Sequence, residues 1–214
     1  MRKGLEFEKL KYSESGYIPM LPEPLEHFKK EVEPLLKQLE NVRKTVVLPM
    51  LFSFNREISK PDVDEIYDAI SVIEEKSNID VILFSHGGDP DQAYIIGTLL
   101  QECATKKLTI IIPRYAKSAA TLLTCAADEI VMLPASELGP VELMIESPET
   151  KRYVPVRTFV ESIEMIAKMD LGEMKLDVLK ETLNRIPITE LRDFERLSEY
   201  IKSLAEKLLA RRMF

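Results

Sequence analysis

The sequence predicts an α/β protein with a mostly parallel β-sheet, because strand-like and helix-like segments alternate from residue 45 to residue 133. The strand-like segments are short apolar runs of the kind that form buried strands in parallel sheets. They cover residues 45–51, 80–84, 108–112 and 129–133. Helical patterns follow the first three of these runs, so we expect right-handed βαβ crossovers between the strands.

The first predicted helix covers residues 25–42, where apolar side chains recur at steps of three and four residues. This stripe consists of Leu25, Phe28, Val32, Leu35, Leu39 and Val42. Pro34 lies inside the span and is expected to kink the helix or to start a second one. The stripe fits two interpretations, packing on the core of this chain or a seam between subunits.

The central elements have recognisable boundaries. Pro49 is expected to interrupt the first strand, because proline lacks a backbone N–H. A helix opens near residue 60. Asp89 is a good N-cap and Pro90 a good first residue for the helix after the second strand, and a further helix is expected over residues 118–126.

The C-terminal part of the sequence is predicted to be helical, after a loop at residues 136–140 and a polar stretch. Helical spacing covers residues 156–169, 173–183 and 189–210. We therefore expect one domain overall, made of an N-terminal arm and helix (1–44), a core (45–150) and a C-terminal helical segment (151–214).

Composition limits the functions that this chain can have. It has 214 residues, 45% of them apolar, which is enough for a substantial core. The formal net charge of −7 argues against nucleic acid as a partner, because phosphate binding needs a concentrated basic surface. No apolar run is long enough for a transmembrane segment, and the first residues lack the apolar part of a secretory signal, so we expect a cytoplasmic protein.

Two turns carry candidate chemistry. Gly87 and Gly88 follow the second strand, and glycines there allow a sharp turn with uncovered N–H groups. Ser118 follows the third strand at a helix start, where the Ala119 N–H could be a second oxyanion donor. Together these groups suit nucleophilic attack on a carbonyl. Taken alone, the glycines also fit a plain strand-to-helix turn, and Ser118 fits a helix N-cap.

Four motifs follow one another along the predicted core. They read DVILFSHGGD at residues 80–89, IPRYAKSAAT at 112–121, CAADEIVM at 125–132 and SELGP at 136–140. In this order they resemble the serine dehydrogenase proteinase group, which belongs with the signal peptide peptidase A-type serine proteases in the Clp protease/crotonase superfamily. The resemblance covers residues 45–145 and, more weakly, the tail at 183–209. It implies a Clp/crotonase-like fold of repeated βαβ (ββα) units with a helical N-terminal arm and a helical C-terminal tail.

The resemblance also implies roles for individual residues. Ser118 would be the nucleophile, Gly87, Gly88 and Ala119 would build the oxyanion hole, and Gly139 and Pro140 would border the bound substrate strand. The sequence departs from the group's pattern at Ala120, where glycine is usual, and at Lys117, where a small or apolar residue is usual. Relatives often carry a membrane segment and continue beyond the residue where this sequence ends.

The general base is not identified by the motifs. Clp proteases use a histidine downstream of the serine, whereas His27 and His86 both lie upstream, and we interpret His86 as a turn or surface residue. Signal peptide peptidase A-type enzymes use a lysine, which burial must first deprotonate. Lys151 lies 33 residues beyond the serine (151 − 118) and is the first candidate, although it also fits a plain surface lysine. Lys168 is the second, and Lys117 is disfavoured because it is adjacent to Ser118.

The leading hypothesis is a serine peptidase that acts on a peptide or protein substrate, needs no metal or organic cofactor, and assembles as a homo-oligomer, as proteins of this fold usually do. Two other hypotheses stay open. One is a non-catalytic protein of the same fold that binds a peptide or a partner. The other is a crotonase-type enzyme that processes acyl-CoA, although the acidic charge offers no obvious basic site for nucleotide phosphates.

Overall fold

The structure is a computed structural model that describes residues 24–73, 78–142, 144–146, 151–168 and 188–213. Its contacts divide the chain into two compact units. The first unit contains Met1–Val141 together with Leu204–Phe214, and the second contains Glu142–Ser203. Each unit is described by itself below.

The core of the first unit is a four-stranded sheet. Its strands are β1 (Val46–Leu51), β2 (Asn78–Phe84), β3 (Lys107–Ile112) and β5 (Glu129–Met132). They lie in the order β1-β2-β3-β5, and every neighbouring pair is parallel. The prediction of an α/β fold with a mostly parallel sheet is therefore confirmed.

Helices alternate with these strands as the sequence predicts. They are α2 (Lys60–Ser71), α3 (Pro90–Cys103) and α4 (Ala119–Thr124). At the start of α3, the Asp89 carboxylate accepts hydrogen bonds from the N–H groups of Asp91 and Gln92, which confirms the predicted cap. The fully buried apolar core joins both layers: Ile79, Val81, Leu83, Ala93, Ile96, Leu100, Leu108, Ile110, Ile112, Leu122 and Leu123.

β1 runs through Pro49 without interruption, so the expected break is wrong. Pro49 lies opposite Ile82 in the parallel pairing with β2. β1 is an outer strand of this sheet, with β2 on one side only. Proline is tolerated at such an edge because the missing N–H need not be donated to a neighbouring strand.

Helix α1 (Pro24–Arg43) is continuous through Pro34, and no second helix starts there. Of the two interpretations of the apolar stripe, packing on the core of this chain is wrong at Leu35 and Val42, which are 60% and 81% exposed, whereas Leu36 is buried. The inward face instead includes polar residues that bind the sheet. The Glu40 carboxylate accepts a hydrogen bond from the Val47 N–H, and Arg43 forms an ion pair with the buried Asp80 of β2.

Two short strands replace part of the loop that the sequence predicts at residues 136–140. β4 (Tyr115–Ala116) and β6 (Glu137–Leu138) pair in parallel. β4 also adjoins the end of β2 through a bridge between Ser85 and Ala116. The segment before α4 is therefore held on both sides by backbone hydrogen bonds.

The second unit contains an antiparallel pair and the start of a long helix. β7 (Met144–Glu146) pairs with β8 (Tyr153–Pro155), and α5 (Val156–Lys168) follows directly. The sequence did not predict this strand pair. Helix α6 (Ile188–Met213) begins in this unit. The helix predicted at residues 173–183 lies outside the described residues.

The last part of α6 belongs to the first unit, where Leu204 and Leu208 join the buried core. The Gln101 side-chain amide donates hydrogen bonds to the carbonyl oxygens of Ala126 (3.0 Å) and Leu208 (2.8 Å), so it links α3, the end of α4 and α6. Across the described ranges, none of the helices combines the length and the apolar character that a bilayer crossing requires.

Candidate active site

Ser118 lies at the turn from β4 into α4, where the structure gives it an unusual backbone. Its φ and ψ angles are 49° and −121°, in a region that L-residues other than glycine seldom adopt. It occupies the N-cap position of α4, but its side chain makes no capping hydrogen bond. Ser118 as a residue is half-buried, and its hydroxyl is not engaged in capping the helix start.

Gly87 lies directly against this turn. A Cβ atom added to Gly87 would lie 2.7 Å from the Lys117 carbonyl oxygen, 2.9 Å from Ser118 Cβ and 3.2 Å from Ala119 N. Its φ of 111° also disfavours any side chain. The structure therefore brings the glycine turn and the serine turn together, and only glycine fits at their contact.

Gly88 is held by the loop that follows β1. The Ile58 N–H donates to the Gly87 carbonyl (2.8 Å), and the Asp89 N–H donates to the Ile58 carbonyl (2.9 Å). The Gly88 N–H belongs to the same trans peptide group as the Gly87 carbonyl, and because the two bonds of such a group point in opposite directions, this N–H points away from Ile58. The opposite edge of this segment is the one at which Ser85 pairs with Ala116, just before Ser118.

The three backbone N–H groups expected in an oxyanion hole are not equivalent. The Gly87 N–H donates to the buried Ser85 hydroxyl (3.0 Å). The Gly88 and Ala119 N–H groups have no acceptor among the residues that the structure describes. Ala119 is the first residue of α4, a position at which the helix itself offers no acceptor. Among the described residues, the N–H groups of Gly88 and Ala119 are therefore available as donors. Gly87, whose N–H is engaged, provides the space that the serine turn needs.

Gly139 and Pro140 lie at the end of β6, beside the serine turn. The Gly139 N–H donates to the Ala116 carbonyl (3.0 Å), and a Cβ at Gly139 would lie 3.1 Å from Lys117 Cα. Thr121 of α4 holds the same segment, because its hydroxyl is within hydrogen-bond distance of the carbonyl oxygens of Ala116 (2.7 Å) and Gly139 (2.9 Å). The predicted substrate-bordering loop is therefore fixed to the helix that begins after Ser118.

An exposed ionic cluster flanks this strand pair. The Lys117 amine contacts the Glu137 carboxylate at 2.7 Å, and Arg114 contacts the other carboxylate oxygen. The hydrogen bond from Lys117, followed by that from Arg114, lowers the pKa of Glu137 from 4.5 to about 2. The Lys117 amine is thus paired with Glu137 at the surface of the first unit.

The remaining base candidates are placed as follows. Lys151 belongs to the second unit, is exposed, and has a left-handed backbone with φ of 54°. Lys168 is also exposed, at the end of α5, with its amine 3.5 Å from the Glu164 carboxylate. His86 is exposed, as expected, and its Nε2 lies 2.7 Å from the Tyr115 hydroxyl. The rings of His86 and Tyr115 also pack together, with centroids 4.4 Å apart.

Three contributors to this site were missed by sequence reasoning, namely Ser85, Thr121 and Ile58. Ser85 and Thr121 lie inside the quoted motifs, but their hydrogen bonds depend on segments brought together only by the fold. Ile58 lies in a loop without periodicity. The one available hint is Ser59 followed three residues later by Asp62, a pattern typical of a helix start.

Residues 24–186 match the family of ClpP-like SDH-type serine proteinases. The match spans most of the chain, so the protein belongs to this family, and the resemblance found in the sequence is confirmed. The family to which the chain belongs is therefore a family of serine proteinases.

Two uncharacterised proteins of Methanocaldococcus jannaschii are similar to this chain. One is 27% identical over 165 residues, covering 71% of this chain and 55% of the relative. The other is 28% identical over 187 residues, covering 81% of this chain and 62% of the relative. The chain thus spans between half and two thirds of the length of these relatives.

Solved structures with a similar fold include the ClpP protease catalytic domain of Plasmodium falciparum, at 15% identity and a TM-score of 0.40, covering 50% of this chain and 59% of that one. Two mutants of a membrane-bound stomatin-specific protease are also similar. The mutant in complex with a substrate peptide has 18% identity and a TM-score of 0.41, covering 57% of this chain and 58% of that one. The other has 17% identity and a TM-score of 0.43, covering 57% and 61%.

Proposed function

We propose that this protein is a serine peptidase with Ser118 as its nucleophile. One observation carries the proposal: Gly87 lies so close to the serine turn that an added Cβ would be 2.9 Å from Ser118 Cβ and 3.2 Å from Ala119 N, and Ser118 is held at a positive φ. Such a turn exposes a hydroxyl beside uncovered backbone donors. Membership of a serine proteinase family supports the same chemistry.

In the proposed reaction, the Ser118 oxygen attacks the carbonyl carbon of a peptide bond while its proton passes to a general base. The carbonyl oxygen becomes an oxyanion, which accepts hydrogen bonds from the N–H groups of Gly88 and Ala119. The base then returns the proton to the departing amine, leaving an ester on Ser118. Water hydrolyses this ester by the same steps and regenerates the serine.

Lys151 is the proposed general base, and an extended substrate is proposed to lie along Gly139 and Pro140. A lysine acts as a base only when its pKa is lowered, for example by desolvation. Lys151 is exposed within its own unit, so this role requires that substrate or a second copy of the chain cover it. We therefore propose that the active form is a homo-oligomer. Independently of this argument, we propose a cytoplasmic location.

Fluorophosphonate labelling tests the nucleophile directly, because the reagent bonds to an activated serine and releases fluoride. We expect the wild-type protein to be labelled on Ser118 and the Ser118→Ala variant to be unlabelled. Ser71→Ala is the matched control, since Ser71 is exposed at the end of α2 and its hydroxyl donates a hydrogen bond to the Asp68 carbonyl. A wild-type protein that stays unlabelled as an oligomer would contradict the proposal.

The same assay distinguishes the two lysines. Removal of a general base costs about 10²–10⁴-fold in rate, so Lys151→Gln should slow labelling at neutral pH by at least about 10²-fold. Lys168→Gln should leave the rate within about twofold. The opposite pattern would identify Lys168 as the base, and equal small effects would argue against a lysine base.

A second candidate function is non-catalytic binding of a peptide or partner. It is favoured by the exposure of Lys151 and by the commitment of Lys117 to Glu137, which leave Ser118 without an assigned base in the first unit. Under this alternative an extended peptide would bind with equal affinity to the wild-type and Ser118→Ala proteins, and neither would react with the fluorophosphonate.

A further inference from the structure

We propose that the buried ion pair of Arg56 and Asp62 is a positioning device for the oxyanion hole, acting on the Gly88 N–H through Ile58. This inference rests on the proposed function. Neither residue touches the reacting atoms, so both are positioning residues rather than catalytic ones. Their influence passes through backbone hydrogen bonds that the structure shows directly.

Asp62 is a fully buried carboxylate at the start of α2. One of its oxygens lies 2.7 Å from the Arg56 guanidinium, whose side chain is 15% exposed. The other oxygen accepts hydrogen bonds from the Ser59 N–H (2.6 Å) and the Ser59 hydroxyl (2.8 Å). A buried charge persists only when it is paired and hydrogen-bonded in this way.

These contacts fix the residues on both sides of Ile58. Arg56 lies two residues before it and Ser59 immediately after it, and both are bound to the same carboxylate. Ile58 itself is 1% exposed and contributes its N–H and its carbonyl to Gly87 and Asp89. The carboxylate thus closes a short loop around the residue that holds the glycine turn.

The backbones of Ile58 and Gly88 are packed closely against each other. A Cβ added to Gly88 would lie 2.3 Å from Ile58 N and 2.4 Å from Ile58 O, so the two backbones touch. Any shift of Ile58 is therefore passed to the Gly88 peptide. Misplacing a catalytic group by about 1 Å can cost about 10²-fold in rate.

The experiment compares two buried carboxylates by fluorophosphonate labelling. Asp62→Asn keeps the shape of the side chain but removes its charge. Asp80→Asn is the matched control. Asp80 lies on β2, away from the glycine turn, and it is a buried carboxylate that pairs with an arginine, Arg43. For each variant we would measure kinact and KI of labelling, the melting temperature, and amide hydrogen exchange of Ile58 and Asp89.

We expect Asp62→Asn to lower kinact by about 10- to 100-fold with KI unchanged within about twofold, and to speed exchange at Ile58 and Asp89. Asp80→Asn should lower the melting temperature without either effect. Arg56→Lys should retain more of kinact than Arg56→Met, and this pair decides the matter if Asp62→Asn does not fold. Unchanged kinact in the Asp62 and Arg56 variants would overturn this inference alone, whereas an unlabelled wild-type protein would overturn the proposed function.

Discussion

Ser118 and Gly87 form a contact in which each residue constrains the other. The serine adopts a positive φ of 49°, and the glycine leaves the space that this turn needs. Such strain is maintained only where the surroundings fix the backbone. Here the Ser85 N–H donates a hydrogen bond to the Tyr115 carbonyl, and the Lys117 N–H donates one to the Ser85 carbonyl. The position of Ser118 is therefore set mainly by the backbone conformation of its own turn and of the glycine turn.

Gly87→Ala should inactivate the protein without unfolding it. The added methyl group would lie 2.9 Å from Ser118 Cβ, and an alanine at this sparsely populated φ costs about 1–3 kcal/mol. We expect labelling to slow by about 10²-fold or more, because the turn must shift. The measurement is labelling rate beside the free energy of unfolding in urea.

Gly97→Ala is the control for this substitution. Gly97 lies inside α3, and an added Cβ would lie 3.1 Å from a terminal methyl group of Leu208 and 3.2 Å from Ala126 Cβ, so the neighbours need to give by only a few tenths of an ångström. It should change stability slightly and leave labelling intact. A Gly87→Ala variant that reacts as fast as Gly97→Ala would show that the tight contact is dispensable.

The sequence could predict which residues meet at the site but not what each N–H does there. Gly87, Gly88 and Ser118 were found because their motifs follow predicted strands. The Gly87 N–H binds Ser85, and the Gly88 peptide is set by Ile58, because of distances that only the folded chain fixes. The family resemblance implied three donors, Gly87, Gly88 and Ala119, and it could not show that the Gly87 N–H is bound to the Ser85 hydroxyl.

The pair of β4 and β6 is an element that the sequence pattern did not predict. Each strand is two residues long, too short for an alternating pattern. The four strands of the main sheet were predicted because they are longer and almost wholly apolar. The predicted interruption at Pro49 was wrong because the sequence of one strand does not show the order of strands in the sheet. It therefore does not show that β1 is an edge strand, where proline is tolerated.

The β4–β6 pair should respond to acid through Glu137. Its pKa in the folded protein is lowered to about 2 from 4.5. A lowered pKa means that the carboxylate stabilises the folded state above pH 4.5 and loses this contribution as the pH falls toward 2.

An NMR titration of the Glu137 carboxyl should therefore show a midpoint near 2. Lys117→Met removes the largest cause and should raise that midpoint toward 4.5. Lys107→Met, which affects the separate pair with Glu129, should not move it. A Glu137 midpoint near 4.5 in the wild-type protein would exclude the ionic cluster in solution.

On the scale of the whole molecule, the two ends of α6 belong to different units. Its final turns pack on the first unit, where the buried Leu208 contacts α3 beside Gly97. The predicted 151–214 helical segment treated this region as a single appendage. The periodicity of the sequence identifies α6 as a helix, but it does not show that the residues from Leu204 onward belong to the first unit and the earlier ones to the second.

Leu208→Ala should destabilise the first unit strongly. Removing a fully buried leucine costs about 2–5 kcal/mol, which corresponds to a melting temperature lower by roughly 5–15 °C. Leu209→Ala, at a neighbouring position that is 49% exposed, should change it by less than about 2 °C. Thermal unfolding followed by circular dichroism makes the comparison, and similar shifts for the two variants would mean that α6 does not dock as the structure shows.

The Thr121 hydroxyl has a consequence for altering selectivity. Because one side chain of α4 contacts both Ala116 and Gly139, the helix that follows Ser118 is tied directly to the neighbouring loop. Under the proposed function, substitutions up to Gly139 would therefore disturb the position of Ser118 and the proposed substrate-bordering loop together. Efforts to redesign preference should therefore begin after Pro140, where the backbone is no longer tethered to that helix by this hydroxyl.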